Sequence, residues 1–203
     1  MFATYCPPPN YHLIIHNSSL ITLQYDERYV VSLSDVDRAC ANTYSDTASN
    51  DDLLGTWYDV FKFAPNLNLP PSSSCRESVV TRANQSEVQR YSGAYYRLDN
   101  PYSFNDNPVL INDNFFFGML MGKTATRFYV SDPNTTFYRE DSYEARVYRK
   151  VNDEYMLYQR CELRGNEKWL LSKKRNPSTA ELNEVIKSIE PEVRYFQTQR
   201  FCH

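Results

Sequence analysis

Side chains able to do chemistry are few and scattered in this 203-residue chain. The three histidines, His12, His16 and His203, stand near the ends. A Ser-His-Asp triad or an axial haem ligand drawn from the middle of the chain therefore has no imidazole to use. His12 and His16 are spaced for a surface metal pair, but two solvated histidines are the simpler reading, and no metal centre is expected. The five cysteines, Cys6, Cys40, Cys75, Cys161 and Cys202, contain no C-x-x-C pair, which removes zinc-ribbon and thioredoxin-type chemistry. Their wide spacing suits disulfides, and sequons at Asn17, Asn84 and Asn134 offer glycosylation acceptors. Together these features point to an oxidising, extracellular compartment. The odd count leaves one thiol over for a partner or a second copy of the chain. Residues 1–9 reach three prolines before any apolar run, so no signal peptide is visible.

The bulk of the chain must supply the frame that positions any site. A net charge of -3 with scattered Lys and Arg leaves no electrostatic footprint for nucleic acid. The longest apolar runs, 13–15 and 115–117, are too short to span a membrane. Aromatic residues are abundant, with 17 Tyr, 11 Phe and 2 Trp. Tyrosine, with its apolar ring and polar tip, suits strands that face a pocket on one side. Residues 1–39 read as an N-terminal extension of unknown role, with short β-prone pieces at 11–15, 20–25 and 28–33. Residues 40–203 form the main domain. Strands are expected at 57–63, 76–82, 88–98, 109–121, 127–130, 143–151, 155–162 and 168–174, separated by turns such as Asn152-Asp153 and Arg164-Gly165-Asn166. Strands so joined form an antiparallel meander that escapes its edges by closing into a barrel, with a sandwich as the alternative. One helix follows. Ser178-Thr-Ala-Glu181 is a capping box, and Leu182, Val185, Ile186 and Ile189 recur at helical spacing. Pro191 is expected to end it, and 193–196 reads as a short last strand. The fold class is therefore all-β: an eight-stranded antiparallel up-and-down barrel, or a sandwich, with one C-terminal helix packed outside.

Gly55-Thr-Trp57-Tyr58 at the head of the first barrel strand resembles the G-x-W signature of the lipocalins. Tyr155-Met-Leu-Tyr-Gln-Arg-Cys161 resembles the seventh strand of the branch that holds apolipoprotein D and the insect bilin-binding proteins. Trp169-Leu-Leu-Ser-Lys-Lys-Arg-Asn-Pro177 resembles that family's last strand and its exit into the helix. The resemblance covers about residues 40–202. It implies disulfides Cys40–Cys161 and Cys75–Cys202, leaving Cys6 as the odd thiol. It also implies a cation over the indole of Trp57, which counting assigns to Lys173 from one side and to Arg175 from the other. The family's Thr-Asp-Tyr turn is missing, its place being taken by Lys150-Val-Asn152.

With Cys161 turned outward by that pairing, alternation along the strands turns Met156 and Tyr158 inward, together with Arg146 and Tyr148. Trp169 shares parity with Lys173 and faces in. These five residues are the expected ligand contacts, and ordinary barrel filling competes for each aromatic. A buried Arg146 needs Asp59, another carboxylate or an acidic ligand beside it, unless the register leaves it in solvent. The resemblance implies a secreted carrier of one small hydrophobic ligand, with a biliverdin-type pigment as the specific candidate and no cofactor required. One alternative is an extracellular interaction protein with a filled barrel, forming homo-oligomers through Cys6. A calyx enzyme is the remaining alternative, and enzymatic activity is not expected.

Overall fold

The computed structural model describes residues 11–14, 22–25, 48–65, 67, 75–96, 104, 106–113, 117–122, 126–136, 138, 143–161 and 167–202. The chain divides into two compact units, Met1–Ser32 and Leu33–His203. In the first, β1 (Tyr11–Ile14) pairs antiparallel with β2 (Thr22–Tyr25), Tyr11 opposite Tyr25. The expected strand at 28–33, with Cys6, His16, Asn17 and Cys40, lies outside the described residues.

The second unit is an antiparallel meander of eight strands. They are β3 (Gly55–Ala64), β4 (Glu77–Arg82), β5 (Val109–Asn112), β6 (Phe117–Met121), β7 (Thr126–Ser131), β8 (Glu144–Lys150), β9 (Tyr155–Arg160) and β10 (Lys168–Ser172). Each pairs with the next, and β10 returns to pair with β3, so the sheet closes into a barrel. A register shift between Leu170 and Leu171 sets Leu170 opposite Phe61 and Leu171 opposite Asp59. This bulge uses up one residue of β3, so Trp57 and Asp59 before it and Lys62 after it turn to the same inner side.

Two of the expected strands are built differently. The expected strand at 88–98 does not form over its described residues, 88–96: α2 (Gln85–Ala94) occupies most of that stretch. Asn84 caps it by accepting from the Glu87 amide while the Glu87 carboxylate accepts from the Asn84 amide, a complete capping box. Val88, Tyr91 and Tyr95 then recur at helical spacing and are buried. The tyrosines suggested a strand, but the cap and the spacing decide for a helix. Residues 109–121 are not one strand but the β5–β6 hairpin, folded where Asn112 and Asp113 interrupt the apolar run. One expected strand is lost and one is split, so the count of eight stands.

The C-terminal helix α3 (Thr179–Ser188) starts where expected, with Ser178 accepting from the Glu181 amide. Pro191 does not end helical structure. It sits in the first turn of a short helix, α4 (Glu190–Val193), where its missing N–H costs nothing. The last strand, β11 (Gln197–Arg200), therefore begins after residues 193–196 and pairs with β3.

Both helices lie outside the barrel and each covers one wall. Leu182, Val185 and Ile189 pack with Val60, Phe63, Tyr155, Leu157 and Leu170, while Val88, Tyr91 and Tyr95 pack with residues of β5–β8 such as Leu110, Met119 and Val130. Cys75–Cys202 ties the start of β4 to the C-terminus across 127 residues. Cys161 is disulfide-bonded too, its expected partner Cys40 being outside the described residues. Among the described residues, no helix is long and apolar enough to cross a membrane.

Candidate functional site

One end of the barrel is plugged. The short helix α1 (Asn50–Leu53) lies across it, capped by Ser49 and Asp52. Gly55, at φ 112° in the left-handed half of backbone space, turns the chain from this plug into β3. Trp57 is 2% exposed and donates from Nε1 to the Leu53 carbonyl at 2.8 Å. The cation over its ring is Lys173, with Nζ 5.3 Å from the centroid. Arg127 on β7 is fully buried and holds the plug from within. It donates to Asn50 Oδ1 at 2.7 Å and to the Ala48 carbonyl. Burial pushes its pKa down to about 10.

Above the plug the barrel encloses a narrow cavity that opens to solvent at its mouth. Its floor is apolar, with Leu53, Val80, Ile111, Leu120 and Leu171 beside Trp57. Its sides are not. Asp59, Ser78, Arg76 and Asp113 line the wall made by β3–β5, and Arg146, Tyr148, Met156 and Tyr158 line the facing wall on β8 and β9. Four of the five expected contacts thus border one space. Trp169 is beside it, stacked on Tyr158.

Strand register explains this arrangement. Tyr148 lies opposite Tyr158, Tyr158 opposite Trp169, and Trp169 opposite Lys62, all on the inner side. Directly paired residues on one face approach closely enough for their rings to meet. The ring centroids are accordingly 4.9 Å apart for Tyr148–Tyr158 and 5.3 Å for Tyr158–Trp169, and Lys62 Nζ sits 5.2 Å from the Trp169 centroid. Burial raises the pKa of Tyr158 well above the ordinary tyrosine value and that of Tyr148 above it, so both phenols remain neutral.

Arg146 is 4% exposed, so it faces inward and not into solvent, and its carboxylate partner is Glu144. Nε donates to Glu144 Oε1 at 2.9 Å, and the guanidinium carbon lies 3.6 Å from the Tyr129 centroid. Arg160 donates to both oxygens of the same Glu144, at 2.7 and 2.9 Å. Burial works against the charge on Arg146, and the Tyr158 and Glu144 oxygens outweigh it, holding its proton more firmly than usual. On the opposite wall, burial pushes the Asp59 carboxyl up to about 6 despite Arg76, whose Nε is 3.6 Å away.

Sequence reasoning missed Glu144, Arg160, Arg127, Ser78, Arg76 and Asp113. Parity was a usable signal for the first two: Glu144 shares the face of Arg146, and Arg160 that of Tyr158. Arg76 and Asp113 lie just outside strands, where alternation carries no information. Among the described residues no group of His, Cys, Asp or Glu is arranged to hold a metal ion. Asn84 and Asn134 are exposed, as a glycosylation acceptor must be.

A closed eight-stranded meander, a G-x-W tryptophan at the plugged end beneath a lysine, and a C-terminal helix outside are now in one molecule. The chain resembles the lipocalins. Solved structures similar to it include Per a 4, a major allergen from cockroaches, at 11% identity and a TM-score of 0.46, covering 79% of this chain and 92% of that one. Apocrustacyanin C2 is similar at 9% identity and a TM-score of 0.37, covering 82% of this chain and 86% of the other. No protein-family model and no curated protein matches the chain. What this lipocalin-like barrel does is therefore read from its own cavity.

Proposed function

We propose that this protein is a secreted carrier that holds one small, ring-bearing ligand inside its barrel and catalyses nothing. The observation that carries this reading is the cavity itself: an apolar floor over Trp57, rising to a stacked tyrosine wall and a few converging polar groups. Sites for small molecules are built this way, with apolar area for affinity and sparse polar groups for orientation. Disulfides at Cys75–Cys202 and at Cys161 support an oxidising compartment.

A biliverdin-type pigment is the candidate carried by the lipocalin resemblance. The Tyr148–Tyr158–Trp169 ladder supports it, as a stacking surface for a conjugated plane. Arg146 supports it less, because Glu144 already engages that cation. Mass spectrometry of a denatured extract of protein from its natural source tests the carrier reading, and a visible absorbance band tests the pigment. The expected result is one stoichiometric small molecule. Protein that arrives empty and binds nothing in a broad screen of hydrophobic ligands overturns the reading.

A further inference from the structure

Asp59 stands apart from the other charges of the cavity. The residue is 8% exposed and lines the space, yet among the described residues no side chain or backbone group donates a hydrogen bond to its carboxylate. Its one neighbouring cation, Arg76, stands 3.6 Å off and also faces Asp113 at 3.9 Å. Both separations exceed hydrogen-bond reach. The buried cation of the cavity, Arg146, is engaged on the far wall by Glu144 and the Tyr129 ring. A carboxylate removed from water without a donor is costly, and buried polar groups are seldom left so. With its pKa raised only to about 6, Asp59 still carries its charge at neutral pH. A second carboxylate, Asp113, 7% exposed, lines the same wall, and so does the Ser78 side chain.

We propose that the cavity takes a small organic cation, a protonated amine on a flat ring, with its ammonium at Asp59 and its ring against Tyr148 and Tyr158. The inference rests on the carrier reading above and names the ligand class for that site. An ammonium supplies the N–H donors that Asp59 lacks, and its charge is drawn to the carboxylates. A ligand carboxylate placed there meets Asp59 and Asp113 as like charges. A purely hydrocarbon ligand covers the rings but leaves Asp59 without a donor.

Three indoles that differ only in the head group separate these cases: tryptamine, tryptophol and indole-3-propionate, titrated calorimetrically into the full-length protein at pH 7.5. Tryptamine is expected to bind about tenfold or more tighter than tryptophol, the ratio that one charge-assisted hydrogen bond supplies. Indole-3-propionate is expected to be the weakest. In Asp59→Asn the tryptamine preference should fall to near one while tryptophol binding persists. Equal binding of all three, or tightest binding of the acid, overturns the cation assignment and leaves the carrier reading standing. A preference that survives in Asp59→Asn also overturns it. Failure of all three to bind counts against the carrier reading itself. The comparison on the unaltered protein needs no variant to fold.

Discussion

Replacing Glu144 by Gln tests whether one buried carboxylate holds the cationic wall together. Glu144 is 8% exposed and accepts from Arg146 at 2.9 Å and from Arg160 at 2.7 and 2.9 Å. Breaking a buried pair by removing one partner costs about 3–5 kcal/mol, because the remaining charge is left uncompensated. Two features of the site reduce that figure. Arg146 keeps the Tyr129 face at 3.6 Å, a contact worth roughly 1 kcal/mol. The Arg160 side chain is 23% exposed, so water takes over part of its share. A net loss of about 2–4 kcal/mol remains, which for a domain of this size lowers the midpoint of thermal unfolding by roughly 5–15 °C. Circular dichroism at neutral pH reads the shift. The double variant Glu144→Gln with Arg146→Met should recover most of it, since the orphaned cation is then gone. A drop of less than 2 °C in Glu144→Gln, or a double variant no more stable than the single one, refutes the reasoning.

Further consequences follow from other parts of the barrel. Cys75→Ser opens a link spanning 127 residues and should cost about 4–5 kcal/mol in the chain-entropy picture, read by urea unfolding. Non-reducing peptide mapping should recover Cys75–Cys202 and pair Cys161 with Cys40, and recovery of Cys161 with Cys6 refutes that second pairing. Asp59 makes the folded state bind a proton more tightly than the unfolded one, with a pKa of about 6 against 3.8. Its contribution to stability is thus greatest below about pH 4 and is lost as pH rises to about 6. Asp59→Asn should be the more stable protein at pH 7, and its advantage should vanish near pH 4; an unchanged difference between those two pH values would contradict this. A methyl group at Gly118 would stand 2.3 Å from both Tyr129 Cε2 and the Val130 carbonyl oxygen. Gly118→Ala should therefore cost about 3 kcal/mol or more and displace the ring that carries Arg146, and a near-neutral unfolding midpoint would count against the packing described.

The fold was legible where a residue's identity and its period agreed. The seventh and eighth strands read correctly from 155–162 and 168–174 because β-prone residues run there between clear turn signals, and the capping box at Ser178 marked its helix. Residues 88–98 misled because Tyr91, Tyr95 and Tyr96 favour strands by type. Their environment is decided instead by Asn84 and Glu87, which close a capping box one turn upstream. That signal was as plain as the one at Ser178, but it coincided with a sequon and was read only as one. The helix it starts then covers the outer faces of β5–β8, which is why β5 and β6 are apolar on both sides. The same double burial explains the apolar run that hid the β5–β6 hairpin.

The site divides along the same line. Arg146, Tyr148, Met156 and Tyr158 came from parity, and parity extended two residues further along the same strands reaches Glu144 and Arg160. A period of two says which side a residue faces; it does not say which residue on a neighbouring strand lies opposite. The ladder from Tyr148 to Lys62 is a fact of register between four strands, one of which, β3, changes face at a bulge that no local pattern announces. Without that bulge, Asp59 and Lys62 would fall on opposite sides, and the inner wall would lose one of the two charges. The bulge therefore does chemical work. It lets β3 present a carboxylate to the cavity below and the lysine to Trp169 above, so the ligand preference argued for Asp59 depends on one extra backbone residue as much as on the aspartate itself.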